Sequence, residues 1–324
     1  MKAVVRKRFG EPNVLEVRDV PMPKVLPDCV LIRIRAFGLN HAELYMRRGE
    51  WGDVAPISGI ECVGTVETDA TGRLRRGQMV VALMGGMGRS INGSYAQYTV
   101  VPATNVMPID TTLAWDALAA LPESYAVAWT CLDRNLDIQP GQRLVVRGGT
   151  SALGQAAIDI AAQRGAEVIA TTRQPDRAPF LRALGAAHVI IAGNELIHAV
   201  GWPDAPIDAV LDLLGNSTML DSLRTVRRGG RVCLAGFLGG TSPLVEFNPL
   251  SQMPSGVHLS FFGSFNFGTH AFPLSDVPMQ AIADRVAGGA YRGRPARIFS
   301  LDEVAIAHAV MERGEMGGKG VVLL

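Results

Sequence analysis

One stretch of the 324-residue chain constrains its fold more than any other: residues 143 to 177, RLVVRGGTSALGQAAIDIAAQRGAEVIATTRQPDR. Its first apolar run, at positions 144 to 146, has no polar alternation, which is typical of a strand buried on both faces of a sheet. Two glycines then permit a sharp turn, and a helix beginning near Ala152 leads to a second strand at Glu167 to Thr172. This order predicts a strand–helix–strand unit of a doubly wound parallel sheet.

The glycine turn has the features of a dinucleotide-binding turn. Gly149 and Gly154 stand at the outer positions of the pattern G-x-G-x-x-G, and Ser151 stands at the middle one. Amides at the start of the following helix would bind a pyrophosphate, helped by the helix dipole. The Ser151 hydroxyl either donates to phosphate or widens the turn, and a glycine turn alone also ends ordinary strands. The residues expected at the pyrophosphate are Gly149, Thr150, Ser151, Ala152, Leu153 and Gly154.

The end of the second strand indicates which dinucleotide is bound. A site for NAD usually ends this strand with an acidic residue that holds the ribose 2′-hydroxyl. Here the strand ends in Thr171, Thr172 and Arg173, and Arg177 follows one turn later. Guanidinium groups and hydroxyls suit a 2′-phosphate, so the sequence predicts NADP(H) with Arg173 and Arg177 as ligands. The alternative is that these residues are a solvated start of the next helix.

Composition argues against several other classes of protein. The 31 basic and 30 acidic residues leave a net charge of +1, which gives no reason to expect a nucleic acid or an acidic membrane as partner. Four cysteines, at positions 29, 62, 131 and 233, are too scattered for a zinc knuckle or a disulfide framework. The N-terminal sequence lacks the apolar core of a signal peptide, and no run of about 18 apolar residues occurs. A cytoplasmic protein is therefore expected.

The residue pattern differs between two parts of the chain, and the length of the chain predicts two domains. In the first third, alternating residues at 30–35 and recurrent glycines predict short antiparallel strands. From about residue 122, strands alternate with helices, as in a parallel sheet. Further elements are expected as strands at Asp208–Leu214, Arg231–Ala235, His258–Phe262 and Val321–Leu324, a helix capped by Ser300 and Glu303, and an exposed, mobile loop at Gly85–Gly93.

The whole chain resembles the medium-chain dehydrogenase/reductases, specifically their zinc-free quinone oxidoreductase branch, which includes zeta-crystallin. The resemblance is carried by GLNHAELYMRRG at 38–49, GIECVGTV at 59–66, GSYAQYTVVPA at 93–103, the nucleotide segment, and GGKGVVLL at the end. It implies a β-rich GroES-like catalytic domain at 1–121 and 265–324. It also implies a Rossmann NADP(H)-binding domain at 122–264 and a homodimer, with the strand at Val321–Leu324 rejoining the first domain.

The resemblance also bears on metal binding. In the zinc-dependent alcohol dehydrogenases of the superfamily, a Cys, the His of a G-H-E motif and a second Cys bind catalytic zinc. The aligned residues here are Asn40, Ile60 and Glu123. Zinc prefers thiolate and imidazole ligands, so no catalytic metal is expected. His41, beside Asn40, either touches substrate or is a hydrogen-bonded local histidine.

Without a Lewis acid, the acceptor must take hydride readily. Quinones and α,β-unsaturated carbonyls do so, because the incoming charge delocalises into a diolate or an enolate. The resemblance places Asn40 and Tyr45 near the reacting group, where an amide and a phenol can donate hydrogen bonds to an oxyanion. Tyr45 could also supply a proton, or it is an ordinary packed aromatic residue.

Other contacts follow from position in the family. Lys319 either reaches the cofactor or is a solvent-exposed turn residue, and a group of phenylalanines either lines an apolar pocket or belongs to core and dimer contacts. The further cofactor residues implied are Gly236, Phe237, Phe262 and Lys319, and the phenylalanines are Phe261, Phe262, Phe265 and Phe267.

We therefore expect a cytoplasmic, homodimeric, NADPH-dependent reductase of small electrophilic acceptors, quinones or α,β-unsaturated carbonyls. Two alternatives remain open. One is an enoyl-thioester reductase in the same fold, acting on coenzyme A or carrier-protein substrates. The other is an NADPH-binding sensor protein with little turnover; the near-neutral charge argues against RNA as its ligand.

Overall fold

The structure is a computed structural model that describes residues 1–192, 196–199 and 205–324. The strands are β1 (Lys2–Arg6), β2 (Leu15–Asp19), β3 (Cys29–Leu39), β4 (Glu61–Asp69), β5 (Met79–Leu83), β6 (Tyr98–Pro102), β7 (Val106–Pro108), β8 (Arg143–Arg147), β9 (Glu167–Thr172), β10 (His188–Ile191), β11 (Ile207–Asp212), β12 (Val226–Leu234), β13 (His258–Phe261), β14 (Arg297–Ser300) and β15 (Gly320–Leu323). The helices are α1 (His41–Arg48), α2 (Trp115–Ala119), α3 (Pro122–Thr130), α4 (Ala152–Gln163), α5 (Ala178–Leu184), α6 (Leu196–Ala199), α7 (Met219–Thr225), α8 (Pro249–Gln252), α9 (Met279–Ala287) and α10 (Val304–Glu312). None of these helices is long and apolar enough to cross a membrane.

The chain divides into two compact units. The first unit comprises Met1–Glu123 and Ser264–Leu324, and the second comprises Ser124–Gly263. Each unit has its own sheet and its own buried apolar core.

The first unit is built on a seven-stranded sheet with the order β14-β15-β3-β4-β5-β7, in which β6 also pairs with β3. All pairings are antiparallel except that of β14 with β15. Alternate residues of β3 fill the core, where Val30, Ile32 and Ile34 are at most 3% exposed. The C-terminal strand β15 pairs with the end of β3, which confirms that the chain returns to this unit.

The loop at residues 85–93 is not exposed along its length, so that expectation is wrong. Met87 is fully buried and belongs to the core of the first unit. Gly93 packs so closely on the preceding segment that a Cβ there would overlap the backbone carbonyl of Gly59. The glycines of this loop therefore permit close packing of backbone on backbone.

The second unit is a six-stranded parallel sheet with the order β10-β9-β8-β11-β12-β13. Counted within the unit this is 3-2-1-4-5-6, the strand order of the Rossmann dinucleotide-binding fold. The order reverses between β8 and β11, and ligands of such sheets bind at this switch point, beyond the carboxyl ends of the strands. The predicted fold class, a β-rich unit with a doubly wound parallel sheet, is confirmed.

Two strands of this sheet differ in length from the prediction. β11 ends at Asp212, because its carboxylate accepts hydrogen bonds from the amides of Leu214 (2.9 Å) and Gly215 (3.1 Å) and so turns the chain. β12 begins at Val226, earlier than predicted, because a register shift against β11 incorporates extra residues before the regular pairing resumes.

Candidate active site

The glycine turn after β8 is closed by Ser151. Its hydroxyl donates to the Gly148 carbonyl (2.8 Å) and accepts from the Gly154 amide (3.0 Å), as an N-cap residue does. The Ser151 hydroxyl, one of the groups expected at a phosphate, therefore donates its proton within the turn. The amides of Ala152 and Leu153, in the first turn of α4, have no intrahelical partner and remain suited to an anion.

Gly154 brings α4 close to the turn, since a Cβ there would overlap the Gly148 carbonyl oxygen. Gly148 itself has φ +83°, a backbone conformation that favours glycine. The strand–turn–helix geometry needed to receive a pyrophosphate is therefore present in the second unit, and it fits a dinucleotide.

The cofactor candidates of the second unit lie along one edge of its sheet. The turn containing Gly149 and Thr150 follows β8, Arg173 follows β9, and Gly236 and Phe237 follow β12. These strands are parallel, so their carboxyl ends lie at the same edge. Predicted cofactor residues that are far apart in the chain therefore lie at the same edge of the sheet.

The threonines at the end of β9 have roles inside the fold. The Thr171 hydroxyl accepts a hydrogen bond from the Gly148 amide (3.2 Å), and the Thr172 hydroxyl accepts one from the Gln174 amide (3.1 Å). Arg173 is exposed, and the Arg177 guanidinium lies 4.7 Å from the centre of the Phe180 ring. Both hydroxyls thus accept hydrogen bonds from backbone amides within the fold.

The phenylalanines predicted as a group differ in burial. Phe262 and Phe267 are 2% and 3% exposed, whereas Phe261 and Phe265 are 50% and 51% exposed. The side chains of the buried pair lie in the interior, which agrees with the core alternative for these two residues. Phe261 packs against Phe237, with 6.0 Å between ring centres.

In the first unit, Asn40 joins the end of β3 to the start of α1. Its backbone amide donates to Glu43 Oε2 (2.7 Å). Its side chain makes two further bonds: Nδ2 donates to Glu61 Oε1 (2.8 Å), and Oδ1 accepts from Lys319 Nζ (2.6 Å). Three segments distant in sequence therefore meet at this amide.

Lys319 lies in a buried ion pair with Glu61, at 4% and 0% side-chain exposure. The alternative of a solvent-exposed turn lysine is therefore wrong. Gly38 leaves room for this pair, because a Cβ there would overlap both side chains. Asn40, Glu61 and Lys319 are named here the amide–ammonium cluster.

Glu123 adjoins this cluster. Its backbone amide donates to Glu61 Oε2 (2.8 Å). Burial raises the pKa of Glu123 to about 8, and repulsion by Glu61 adds to the rise. Its Oε2 atom is buried without a hydrogen-bond partner among the described residues. The Glu123 carboxyl is thus mostly protonated at neutral pH.

A second buried carboxyl group, that of Glu43, accepts hydrogen bonds from the backbone amides of Asn40 and Ile60. Glu43 Oε1 accepts from the Ile60 amide (3.1 Å), while Glu43 Oε2 accepts from the Tyr95 hydroxyl (2.7 Å). The Tyr95 oxygen lies 2.9 Å from His308 Nε2. Burial raises the pKa of Glu43 to about 7 and lowers that of His308 to about 3, so the histidine is neutral.

Tyr45 lies one turn along α1 from Asn40, half-buried. Its ring stacks on that of Trp51, with 5.8 Å between centres and 21° between planes. Burial raises the pKa of Tyr45, so its hydroxyl favours hydrogen-bond donation over ionisation. His41, the first residue of α1, is exposed at the surface of the unit.

The residues at the three aligned zinc positions do not fit zinc. They are an amide, a hydrocarbon and a carboxyl whose pKa favours its neutral form, with the Lys319 ammonium nearby. Zinc requires deprotonated thiolate, imidazole or carboxylate ligands. Within the described part of the chain, no group of three His, Cys, Asp or Glu side chains is placed to hold a metal ion.

Comparisons with known proteins identify the family. A model of the alcohol dehydrogenase GroES-like domain matches residues 26–111, and a model of zinc-binding dehydrogenases matches residues 152–277. The chain belongs to the medium-chain dehydrogenase/reductase superfamily. It is an oxidoreductase that uses a nicotinamide cofactor, and its relatives place it in the quinone oxidoreductase branch.

Several relatives of this dehydrogenase/reductase span its whole length. Quinone oxidoreductase of Homo sapiens is 26% identical over 343 residues, covering 100% of this chain and 98% of that protein. A phenolphthiocerol/phthiocerol polyketide synthase protein of Mycobacterium tuberculosis is 28% identical over 338 residues, covering 99% of this chain but 15% of the synthase protein.

Solved structures agree on the fold. An NAD-dependent alcohol dehydrogenase superposes with a TM-score of 0.85 at 25% identity, covering 100% of both chains. Quinone oxidoreductase of Escherichia coli in complex with NADPH superposes with a TM-score of 0.89 at 19% identity, also covering 100% of both chains.

Sequence reasoning missed four buried residues around Asn40: Glu43, Glu61, Tyr95 and His308. The signal for one of them was present, because Glu61 directly follows Ile60 and is the last residue of the motif aligned with G-H-E. The other three depend on contacts between residues up to 213 positions apart, which no local pattern records.

Proposed function

We propose that this medium-chain dehydrogenase/reductase is an NADPH-dependent reductase that transfers hydride to quinones or α,β-unsaturated carbonyls without a metal. The observation that carries the proposal is the amide–ammonium cluster. It supplies hydrogen-bond donors and a buried positive charge at the position where zinc-dependent relatives hold their metal by our alignment.

The Asn40 amide and the Lys319 ammonium have more N–H donors than the contacts within the cluster use. An Asn amide has two N–H groups and an ammonium has three. The Asn40 amide donates one N–H to Glu61, and the Lys319 ammonium donates one to Asn40 and one to Glu61. Asn40 and Lys319 therefore each retain one side-chain N–H. Preorganised donors of this kind stabilise a developing oxyanion, which quinones and enones form on receiving hydride.

The choice of NADPH rests on the end of β9. Arg173 and Arg177 follow this strand, and the acidic residue that would favour NAD is absent. When bound, NADPH supplies the hydride. The second unit would hold its pyrophosphate at the amides of Ala152 and Leu153, beside Gly149 and Gly154, with Gly236 and Phe237 at the same edge of the sheet.

Tyr45 is the proposed proton donor to the reduced acceptor, since its hydroxyl stays protonated at neutral pH. The proposed site residues are thus Asn40, Tyr45 and Lys319 in the first unit, with the β8 turn, Arg173 and Arg177 in the second. The homodimer and the cytoplasmic setting remain predictions.

The test measures NADPH oxidation, with NADH in parallel, after treatment with a chelator. The acceptors are 1,4-benzoquinone, a simple enone and crotonyl-coenzyme A. We expect chelator-resistant, NADPH-selective reduction of the quinone or the enone. Loss of activity on chelation that zinc restores would contradict the proposal. Strong preference for the thioester would favour the enoyl-thioester reductase, and tight NADPH binding without any oxidation would favour a sensor.

A further inference from the structure

Four side chains of the first unit form a continuous stack that begins on α1, at Tyr45: Tyr45, Trp51, Arg89 and Phe265. The Tyr45 ring stacks on Trp51, and the Arg89 guanidinium lies 5.6 Å from the Trp51 ring centre and 5.3 Å from the Phe265 ring centre. Each distance is within the range of favourable π-stacking or cation–π attraction. We name these residues the arginine stack.

Arg89 differs from two of the buried arginines, Arg47 and Arg147. Arg47 pairs with Glu312, and Arg147 pairs with Asp221 at 2.6 Å. Within residues 1–192, 196–199 and 205–324, the Arg89 guanidinium makes neither an ion pair nor a hydrogen bond. Two aromatic rings hold this half-buried cation, and no anionic side chain of those residues neutralises it.

This arrangement suits an external anion. Aromatic rings attract a guanidinium through its charge and its flat face, whereas its N–H donors lie in its plane. Those donors are therefore left for a ligand, and they match the two oxygens of a carboxylate or phosphate. Because the rings restrict the side chain, less conformational entropy is lost when a ligand binds.

There is also room for a substituted ligand. Of the four residues of the arginine stack, Arg89 lines an open groove of about 1370 Å³ in the first unit, together with apolar residues such as Val54 and Ile91; the other three do not line it. Asp53 and Lys24 lie in the same groove, and Asp53 does not pair with Arg89. A ligand whose anionic group meets Arg89 could extend its chain along this groove.

We propose that the arginine stack is the acceptor subsite, and that Arg89 selects acceptors that carry a carboxylate or phosphate beside the unsaturated carbonyl. The inference rests on the proposed function, because it assumes that the acceptor is reduced near Tyr45. It narrows the substrate class from neutral quinones and enones to anionic conjugated carbonyl compounds.

The turnover test uses two matched pairs of acceptors. The first pair is 4-phenyl-3-buten-2-one and its 4-carboxyphenyl derivative, which differ by one carboxylate. The second pair is S-crotonyl-4′-phosphopantetheine and S-crotonyl-pantetheine, which differ by one phosphate. For Arg89→Gln, we expect the ratio of kcat/KM for the anionic over the neutral member to fall about 10- to 100-fold in one pair. The pair that responds identifies the anion.

Two further variants separate charge from shape and from general effects. Arg89→Lys keeps the charge but loses the planar fork, so it should recover only part of the ratio. Arg75→Gln removes an exposed arginine of the same unit and should leave both ratios unchanged. An unchanged ratio in both pairs for Arg89→Gln would overturn the proposal while leaving the proposed function standing.

A binding measurement covers the case in which the wild-type protein reduces none of these acceptors and no quinone, which would refute the proposed function. Calorimetry with 2-naphthoate and the neutral 2-acetonaphthone tests the subsite without turnover. We expect Arg89→Gln to weaken 2-naphthoate about tenfold or more and to affect 2-acetonaphthone far less. Equal dissociation constants for 2-naphthoate in wild type and Arg89→Gln would refute the subsite itself.

Discussion

Lys319 shows at the residue scale how burial changes the meaning of a side chain. A lysine between glycines near a C-terminus is compatible with solvent exposure, yet here its ammonium is 4% exposed and paired with Glu61. Its position depends on β15 returning to β3, which brings residues about 280 positions apart into contact. The terminal strand was predictable from its apolar pattern, but the ion pair was not.

The Lys319–Glu61 pair makes a prediction about stability. Lys319→Met leaves the Glu61 carboxylate buried without its counter-charge, and we expect it to lower the free energy of unfolding by about 3 kcal/mol. Adding Glu61→Gln to Lys319→Met should restore part of this loss, because no uncompensated charge remains. Urea denaturation of the wild type, Lys319→Met and the double variant measures the effect. A double variant no more stable than Lys319→Met would contradict this prediction.

Arg173 and Arg177 carry the prediction on cofactor choice. Replacing both with Ala should weaken NADPH binding by about 10- to 100-fold and NADH binding far less, since only NADPH carries the 2′-phosphate. Arg182→Ala, an exposed arginine on α5, is the matched control. Equal losses for both cofactors in a fluorescence titration would refute the assignment.

Ser151 illustrates what a residue pattern leaves undetermined. A serine before a helix is both a possible phosphate ligand and a good N-cap. The structure uses it as the cap, because the Gly148 carbonyl and the Gly154 amide both lie within 3.0 Å of its hydroxyl. The glycine pattern could predict the turn and the helix start, but not how the hydroxyl is used.

At the scale of elements, α1 is the part of the first unit on which the candidate site depends. It begins at His41, directly after its N-cap Asn40, and carries Tyr45. Glu43 holds its first turn and also accepts a hydrogen bond from the Ile60 amide. Its position relative to β4 is thus set by one buried carboxyl group. The sequence singled out this segment only through its resemblance to relatives and did not predict the helix, because Glu43 acts through residues distant in the chain.

Glu43 also predicts how stability depends on pH. Its pKa is raised to about 7 in the folded protein, so between about 4.5 and about 7 the folded state keeps a proton that the unfolded state releases. This stabilising contribution is complete below about 4.5 and is lost as the pH rises through 7. Relative to Glu43→Gln, the wild type should therefore lose up to about 1.4 kcal/mol of unfolding free energy per pH unit in this range.

The measurement is urea denaturation of wild type and Glu43→Gln from pH 5 to 8. Glu123→Gln serves as a comparison, because the folded pKa of Glu123, about 8, places the end of its contribution at higher pH. Parallel pH profiles for wild type and Glu43→Gln would show that Glu43 does not titrate as described.

At the scale of the whole molecule, the sequence predicted the fold class well because both sheets leave strong local signals. Apolar runs such as β8 indicate a parallel sheet, and alternating residues such as those of β3 indicate an antiparallel one. The interior of the site was less predictable. Buried carboxyl groups are paired by tertiary contacts, and sequence spacing does not record those contacts.

The predicted homodimer requires a suitable surface, and β13 offers one. It is an edge strand of the six-stranded sheet, and Phe261 on it is 50% exposed. Aromatic residues on an unpaired edge favour strand pairing between copies. We expect sedimentation to show a dimer that Phe261→Lys dissociates. Ile191→Lys, on the opposite edge strand β10, is the matched control and should leave the dimer intact; a monomeric wild type would contradict the prediction.

The central claim is hydride transfer from NADPH to a conjugated carbonyl without a metal. The most direct test uses chelator-treated protein and two labelled cofactors, NADPH deuterated on one face or on the other face of nicotinamide C4. The protein reduces an enone with each of them, and NMR locates the deuterium in the product. We expect one deuterium at the β-carbon of the saturated product from one of the two labelled cofactors, with the α-proton delivered by Tyr45, whose hydroxyl proton exchanges with water. No reduction of the enone, or product with no label from either cofactor, would contradict it.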